Sequence, residues 1–240
     1  MPAFILHLWN TPHVVLTLAT LMWAGHTIAA RLSVNEISPM LLMELRWILC
    51  LLVLIVFCRK QLMSQIPAVK ERLGWVFMMG AFGMAGFTVF FILAAQYTTA
   101  VNLGITQGSI PAFVMIMGLV VLRTKVSFLQ ICGLVLSLGG VVLLVSGGSL
   151  SVLKNVQFNA GDLLMLIACL CYAGYTVGLS RRIDMSPVLM LAFFSAAAVV
   201  TLSISTAIEY VHGSLVIPGL KGWLLVIYCA IFPSLLAQVL

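Results

Sequence analysis

Eight apolar runs, each near or above the ~18 residues needed to carry a helix across ~30 Å of hydrocarbon, limit what this chain can fold into. They fall at about 13–30, 38–58, 74–95, 98–122, 127–146, 161–180, 188–208 and 222–240. Inside a bilayer no water meets the backbone N–H and C=O groups, so each run must satisfy them internally as a helix. The expected fold is an all-α polytopic membrane protein of eight transmembrane helices. Short connections carry most of the charge, and the longest, Ser146 to Ala160 with Gly147, Gly148 and Lys154, reads as an ordinary loop. With 63% hydrophobic and 8% charged residues, the chain lacks the polar material to clothe a soluble domain. The net charge of +6 does not indicate nucleic acid, because the basic residues lie between the apolar runs, where membrane topology puts them.

The placement of those basic residues also predicts orientation. With the N-terminus inside, Arg59, Lys60, Lys70, Arg72, Arg123, Lys125, Arg181 and Arg182 fall in cytoplasmic loops, against Arg31, Lys154 and Lys221 outside. Met1 to Pro12 holds no Lys or Arg and so lacks the basic region of a cleavable signal; the first run should stay as an anchor. The expected location is the cytoplasmic membrane, multi-pass, with the N-terminus cytoplasmic.

The sequence repeats itself. Trp23-Ala24-Gly25-His26-Thr27-Ile28 returns as Tyr172-Ala173-Gly174-Tyr175-Thr176-Val177 at an offset of 149. Ser38-Pro39 matches Ser186-Pro187 and Gly74-Trp75 matches Gly222-Trp223, both at 148. That offset spans five helices, and an odd number inverts the second copy, an arrangement that places a transport site at the repeat interface. Residues 1–148 are expected to form a first five-helix repeat and 149–240 the first three helices of a second. By the same offset Leu240 corresponds to Ile92, so the last two helices of the second copy are expected to be missing.

Within this frame the run Thr98 to Leu122 is unusual. At ~100° per residue, Thr98, Asn102, Thr106 and Ser109 fall on one narrow stripe beside Gly104 and Gly108, and Pro111 removes a backbone donor near mid-span. A purely structural membrane helix has no need of such a stripe, so Asn102, Thr106, Ser109 and Pro111 are candidate substrate-path residues. Arg46 lies within the second run, and intramembrane charge marks function by default. Snorkelling to the interface is the competing account of Arg46. A cation on the path would favour an anionic or zwitterionic cargo. Glu44 lies about 200° from Arg46 on the wheel and is not expected to pair with it. His26 is either a neutral imidazole bonded to a neighbouring helix or a proton carrier. Trp23, Tyr172 and Tyr175 would suit a small amphipathic cargo if they face a cavity, and lipid if they do not. The glycines Gly25, Gly80, Gly83, Gly86, Gly174 and Gly178 read as sites of close helix approach.

Catalytic constellations do not emerge. The chain carries no HExxH, GxSxG or Walker loop, and its histidines (His7, His13, His26, His212) are scattered. The six cysteines lie in or beside apolar runs without CxxC spacing and read as packed thiols, so neither a metal nor a cofactor is expected.

Taken in order, Trp23, Ser38-Pro39, Arg46, Ala95-Gln96-Tyr97-Thr98-Thr99-Ala100, Pro111, Ser127, Gln130, Gly133, the ending Gly140-Val141-Val142-Leu143-Leu144, Gly161-Asp162 and Tyr172-Ala173 form a pattern. On these residues the chain resembles the EamA-like branch of the drug/metabolite transporter superfamily. The resemblance implies ten helices in two inverted five-helix repeats, a central cavity, and export or exchange of small metabolites, amino acids or drugs. The chain departs from the pattern at Thr124, where a Glu is usual, and against ten helices it is expected to carry eight. The expected function is secondary transport of small organic solutes by alternating access. The expected partners are a small-molecule substrate, a coupling proton or ion and the lipid bilayer, with self-association left open and no nucleic acid. The alternative is a non-transporting truncated paralogue or membrane assembly partner.

Overall fold

The structure, a computed structural model, describes residues 11–146 and 159–239. The described chain is helical throughout: α1 (Pro12–Leu32), α2 (Pro39–Glu71), α3 (Leu73–Tyr97), α4 (Ala100–Leu122), α5 (Phe128–Ser146), α6 (Ala160–Arg181), α7 (Pro187–Val211) and α8 (Leu220–Val239). Seven of these, α1 to α4 and α6 to α8, are long and apolar enough to cross a membrane. Over the remaining expected span the described apolar stretch of α5 is shorter, Phe128–Gly140. The glycine loop expected after Ser146 lies outside the described residues.

Helix starts follow local chemistry. Pro39 and Pro187 occupy first-turn positions, where a missing N–H costs nothing. Thr99 caps α4 by accepting from the Asn102 N–H at 3.1 Å. Asn159 and Asp162 form a reciprocal capping box on α6, each side chain accepting the other's backbone N–H at 3.1 Å. The second expected span, ending at 58, meets a real break: Cys58 has non-helical φ −118° and ψ 15°. Beyond it the chain does not become loop but stays helical through Pro67 to Glu71.

Three helices lose α-geometry in mid-span. In α3 the stretch Met79–Gly86 is π-helical, and in α8 so is Ala230–Leu236. The first holds Gly80, Gly83 and Gly86, which weaken the regular helix, and the second holds Pro233, which has no N–H to donate. In α4 the helix stops at Gln107 and restarts at Ile110 with Pro111 in its first turn.

The most extensive packing is between α3 and α6, followed by α2 against α7. Trp47, Phe91, Phe194, Leu42 and Met43 are fully buried at the centre. Lipid is as apolar as leucine, so helices in a membrane gain most from close fit at small residues. A Cβ on Gly80 would stand 2.5 Å from the Phe194 carbonyl oxygen and 2.6 Å from Ala197 Cβ. No side chain fits there, and α3 therefore meets α7 through bare backbone.

Polar contacts tie the two ends of the bundle. At one end Arg31 donates to the Ala95 carbonyl at 2.6 Å, Ser38 donates to the Ser214 carbonyl at 3.1 Å and accepts from Val216, and Lys221 pairs with Glu36 at 2.7 Å. At the other, Arg72 donates to the Arg181 carbonyl at 3.0 Å.

Candidate functional site

The three irregular backbone segments converge. Gly83 and Met84 from α3, Gly108 and Pro111 from α4, and Pro233 from α8 all line one central cavity of about 700 Å³. Irregular backbone at membrane depth is tolerated where it borders a cavity rather than lipid. Helix α1 adds Trp23, His26 and Thr27, α2 adds Arg46 and Trp47, and α6 adds Tyr172. The volume suits a small organic molecule.

Arg46 and His26, read separately in the sequence, are brought into contact here. An Arg46 guanidinium nitrogen lies 2.5 Å from His26 Nε2, and both residues are buried, 3% and 4% exposed. Arginine donates and never accepts, so His26 Nε2 must be the acceptor, which puts the ring proton on Nδ1. The imidazole is therefore neutral in this arrangement. It stacks on Phe91, with ring centroids 4.8 Å apart. Arg46 Nε is buried without a hydrogen-bond partner, as is Trp47 Nε1. Arg46 does not snorkel to an interface. Glu44 points elsewhere, accepting from Ser203 on α7 at 2.7 Å, in keeping with the wheel reading.

Aromatic rings run from the cavity into the core. Tyr172 meets Trp23 edge-on at 6.3 Å, Phe87 at 5.3 Å and Tyr175 at 5.9 Å. Tyr175 continues to Phe194 at 5.9 Å, and Phe194 to Trp75 at 5.6 Å. Tyr175 lies outside the main cavity and lines a smaller one of about 230 Å³ with Phe194 and Arg182. Tyr172 and Gln238 border both cavities and so form the partition between them.

Of the nine candidate path residues, Trp23, His26, Arg46, Pro111 and Tyr172 line the main cavity, and Tyr175 lines the smaller one. Asn102, Thr106 and Ser109 do not, because their stripe turns toward α6. Thr98 donates to Asp162 at 3.0 Å, Asn102 donates to Thr98 at 3.1 Å, and the Thr106 carbonyl accepts from Cys169 Sγ at 3.5 Å. Ser109 donates to the Thr106 carbonyl at 2.5 Å, supplying a bond across the helix break. The face of α4 presented to the cavity carries Ala100, Val101, Gly104 and Gln107. Gln107 Oε1 lies 3.4 Å from Thr27 Oγ1 of α1. Sequence reasoning passed over Gln107 and Gln238, although a glutamine amide within an apolar span is itself a signal, since it needs a partner there.

Among the described residues no three His, Cys, Asp or Glu side chains cluster as a metal site requires, and all six cysteines are free thiols.

A sequence model described as the EamA-like transporter family matches residues 11–146. An uncharacterized transporter of Archaeoglobus fulgidus is 32% identical over 170 residues, covering 69% of this chain and 56% of that protein. The uncharacterized transporter YyaM of Bacillus subtilis is 27% identical over 132 residues, covering 55% of this chain and 42% of that protein. The chain thus spans about half the length of these curated relatives. A crystal structure at 19% identity superposes with a TM-score of 0.68 over 94% of this chain and 76% of its own, which speaks for the fold alone. With that family pattern over more than half its length, and with six of its seven membrane-length helices lining one cavity, the chain is a multi-pass membrane protein that belongs to the EamA-like transporter family.

Proposed function

We propose that this protein is a secondary transporter, an exporter or exchanger of small organic solutes, working by alternating access in the cytoplasmic membrane. One observation carries the reading: broken helices meet at a cavity of about 700 Å³ that holds the intramembrane Arg46 and His26. Discontinuous helices at the midplane are the usual construction of a transport site. The inverted repeat, 1–148 and 149–240, draws support from matching contacts. His26 meets Arg46, and 149 and 148 residues later Tyr175 meets Phe194. Counting the motif helix as the first, the third helix on each side, α3 and α8, carries the π-helical segment. With the N-terminus cytoplasmic, the Arg31–Ala95 and Lys221–Glu36 contacts mark the outer end, and the Arg72–Arg181 contact the inner end.

Flux of labelled organic acids and amino acids into proteoliposomes tests the reading, comparing wild type with Arg46→Ala and Gln107→Ala. Each substitution is expected to reduce flux at least tenfold; equal flux in all three proteins would remove the cavity from the path. Orientation is read separately. In a background with its cysteines replaced, Arg31→Cys should react with an impermeant maleimide added outside intact cells, and Arg181→Cys should not.

A further inference from the structure

We infer that the Arg46–His26 pair is a carboxylate-binding subsite, and that the cargo is a monocarboxylate with an apolar or aromatic body and no positive charge. The inference rests on the transport reading for the word cargo, and on the cavity alone for the ligand's chemistry.

The chain has six acidic residues, and none borders the main cavity. Glu36 pairs with Lys221, Glu44 with Ser203, Asp162 with Thr98 and its own cap, and Glu209 accepts from the Met40 N–H at 3.1 Å. Glu71, at the end of α2, and Asp184, in the bend between α6 and α7, are exposed. Arg46, 3% exposed and at the cavity, therefore keeps a charge that no carboxylate of this chain answers. A cation held inside a membrane bundle without a counter-charge is strongly unfavourable, and an anion entering the cavity relieves it.

The donors are suited to a planar oxyanion. One guanidinium nitrogen is committed to His26, while Nε stays unpartnered. His26, by accepting through Nε2, holds the guanidinium in place beside the cavity. Carboxylate is the group that a guanidinium edge recognises through paired, charge-assisted hydrogen bonds. The rest of the lining is apolar or aromatic, with Trp23, Trp47, Met84, Phe87 and Tyr172, and would bury a ring or branched chain. An ammonium group would find no carboxylate there. That separates uncharged-body acids from zwitterionic amino acids.

The test uses the full chain in nanodiscs, with quenching of tryptophan fluorescence by three probes of one shape: phenylacetate, phenylacetamide and phenylalanine. Phenylacetate is expected to bind wild type at least tenfold more tightly than either other probe. In Arg46→Met the acid-over-amide preference should vanish, and in Arg46→Lys, which keeps the charge without the planar fork, part of it should remain. Equal binding of acid and amide to wild type overturns the inference, as does an undiminished preference in Arg46→Met. If Arg46→Met does not fold, the wild-type ratio and Arg46→Lys decide. The same probes in proteoliposomes separate the two readings. Arg46-dependent binding of phenylacetate without flux upholds the subsite and rejects transport. Flux of phenylalanine with no preference for the acid upholds transport and rejects the subsite.

Discussion

Two stretches of this protein begin alike and end in opposite environments. Trp23-Ala24-Gly25-His26-Thr27 and Tyr172-Ala173-Gly174-Tyr175-Thr176 share a helical pattern, and in both the threonine hydroxyl donates to the carbonyl four residues back, at 3.2 and 2.9 Å. Their leading rings, Trp23 and Tyr172, even meet across the cavity. Yet His26 faces Arg46 and a space large enough for a ligand, while Tyr175 faces Phe194 and lies against Gly83, whose added Cβ would stand 2.7 Å from its Cβ and Cγ. The same local design thus yields a polar grip on one side and a close-packed aromatic joint on the other. What differs is the neighbour supplied by the following helix, Arg46 on α2 or Phe194 on α7. The lesson is that in this bundle the motif sets where a side chain points, and the partner helix sets what it does there.

Substitutions should pull the two sides apart. The largest effect is expected on the aromatic side. Phe194→Ala empties a fully buried site among Tyr175 and Trp75 and should cost about 3 kcal/mol, read as a fall in the thermal unfolding midpoint in detergent. An unchanged midpoint would mean that the joint bears little of the stability. Next, His26→Leu removes the acceptor of Arg46 and strands a buried donor, for roughly 1–3 kcal/mol by the same measurement. Arg46→Met should act in the opposite sense, leaving the midpoint at or about 1 kcal/mol above wild type while ligand binding is lost, because an unanswered buried charge disappears. A large drop in midpoint would instead show that the guanidinium is structural. Smallest of all, Tyr175→Phe keeps every ring contact and should stay within about 0.5 kcal/mol of wild type.

Several features of the fold and site are legible in the amino-acid order alone. Apolar run lengths locate the helices, Ser-Pro pairs mark the starts of α2 and α7, and Pro111 announces the break in α4. Arg46, His26, Trp23 and Tyr172 stand out as costly or unusual inside a membrane, and all four reach the cavity. The stripe of Asn102, Thr106 and Ser109 marks the boundary of such reasoning. Its geometry on α4 is readable, but the stripe serves contacts made toward α6, where the polar groups around Asp162 and Cys169 engage its first and middle turns. Helical periodicity says which residues share a face and is silent on which helix that face meets.

By itself the sequence determined that this chain crosses a membrane many times, where its helices begin, and which residues are too polar to be there without purpose. These follow from local rules, hydrocarbon thickness and backbone hydrogen bonding, that act on each segment alone. Only the tertiary structure decided that Arg46 meets His26, that Gln107 and Gln238 border the cavity, and that the glycines of α3 and Pro233 of α8 loosen their helices beside the same space. Those outcomes depend on which helices touch, and contacts between segments far apart in sequence are settled by packing of the whole bundle.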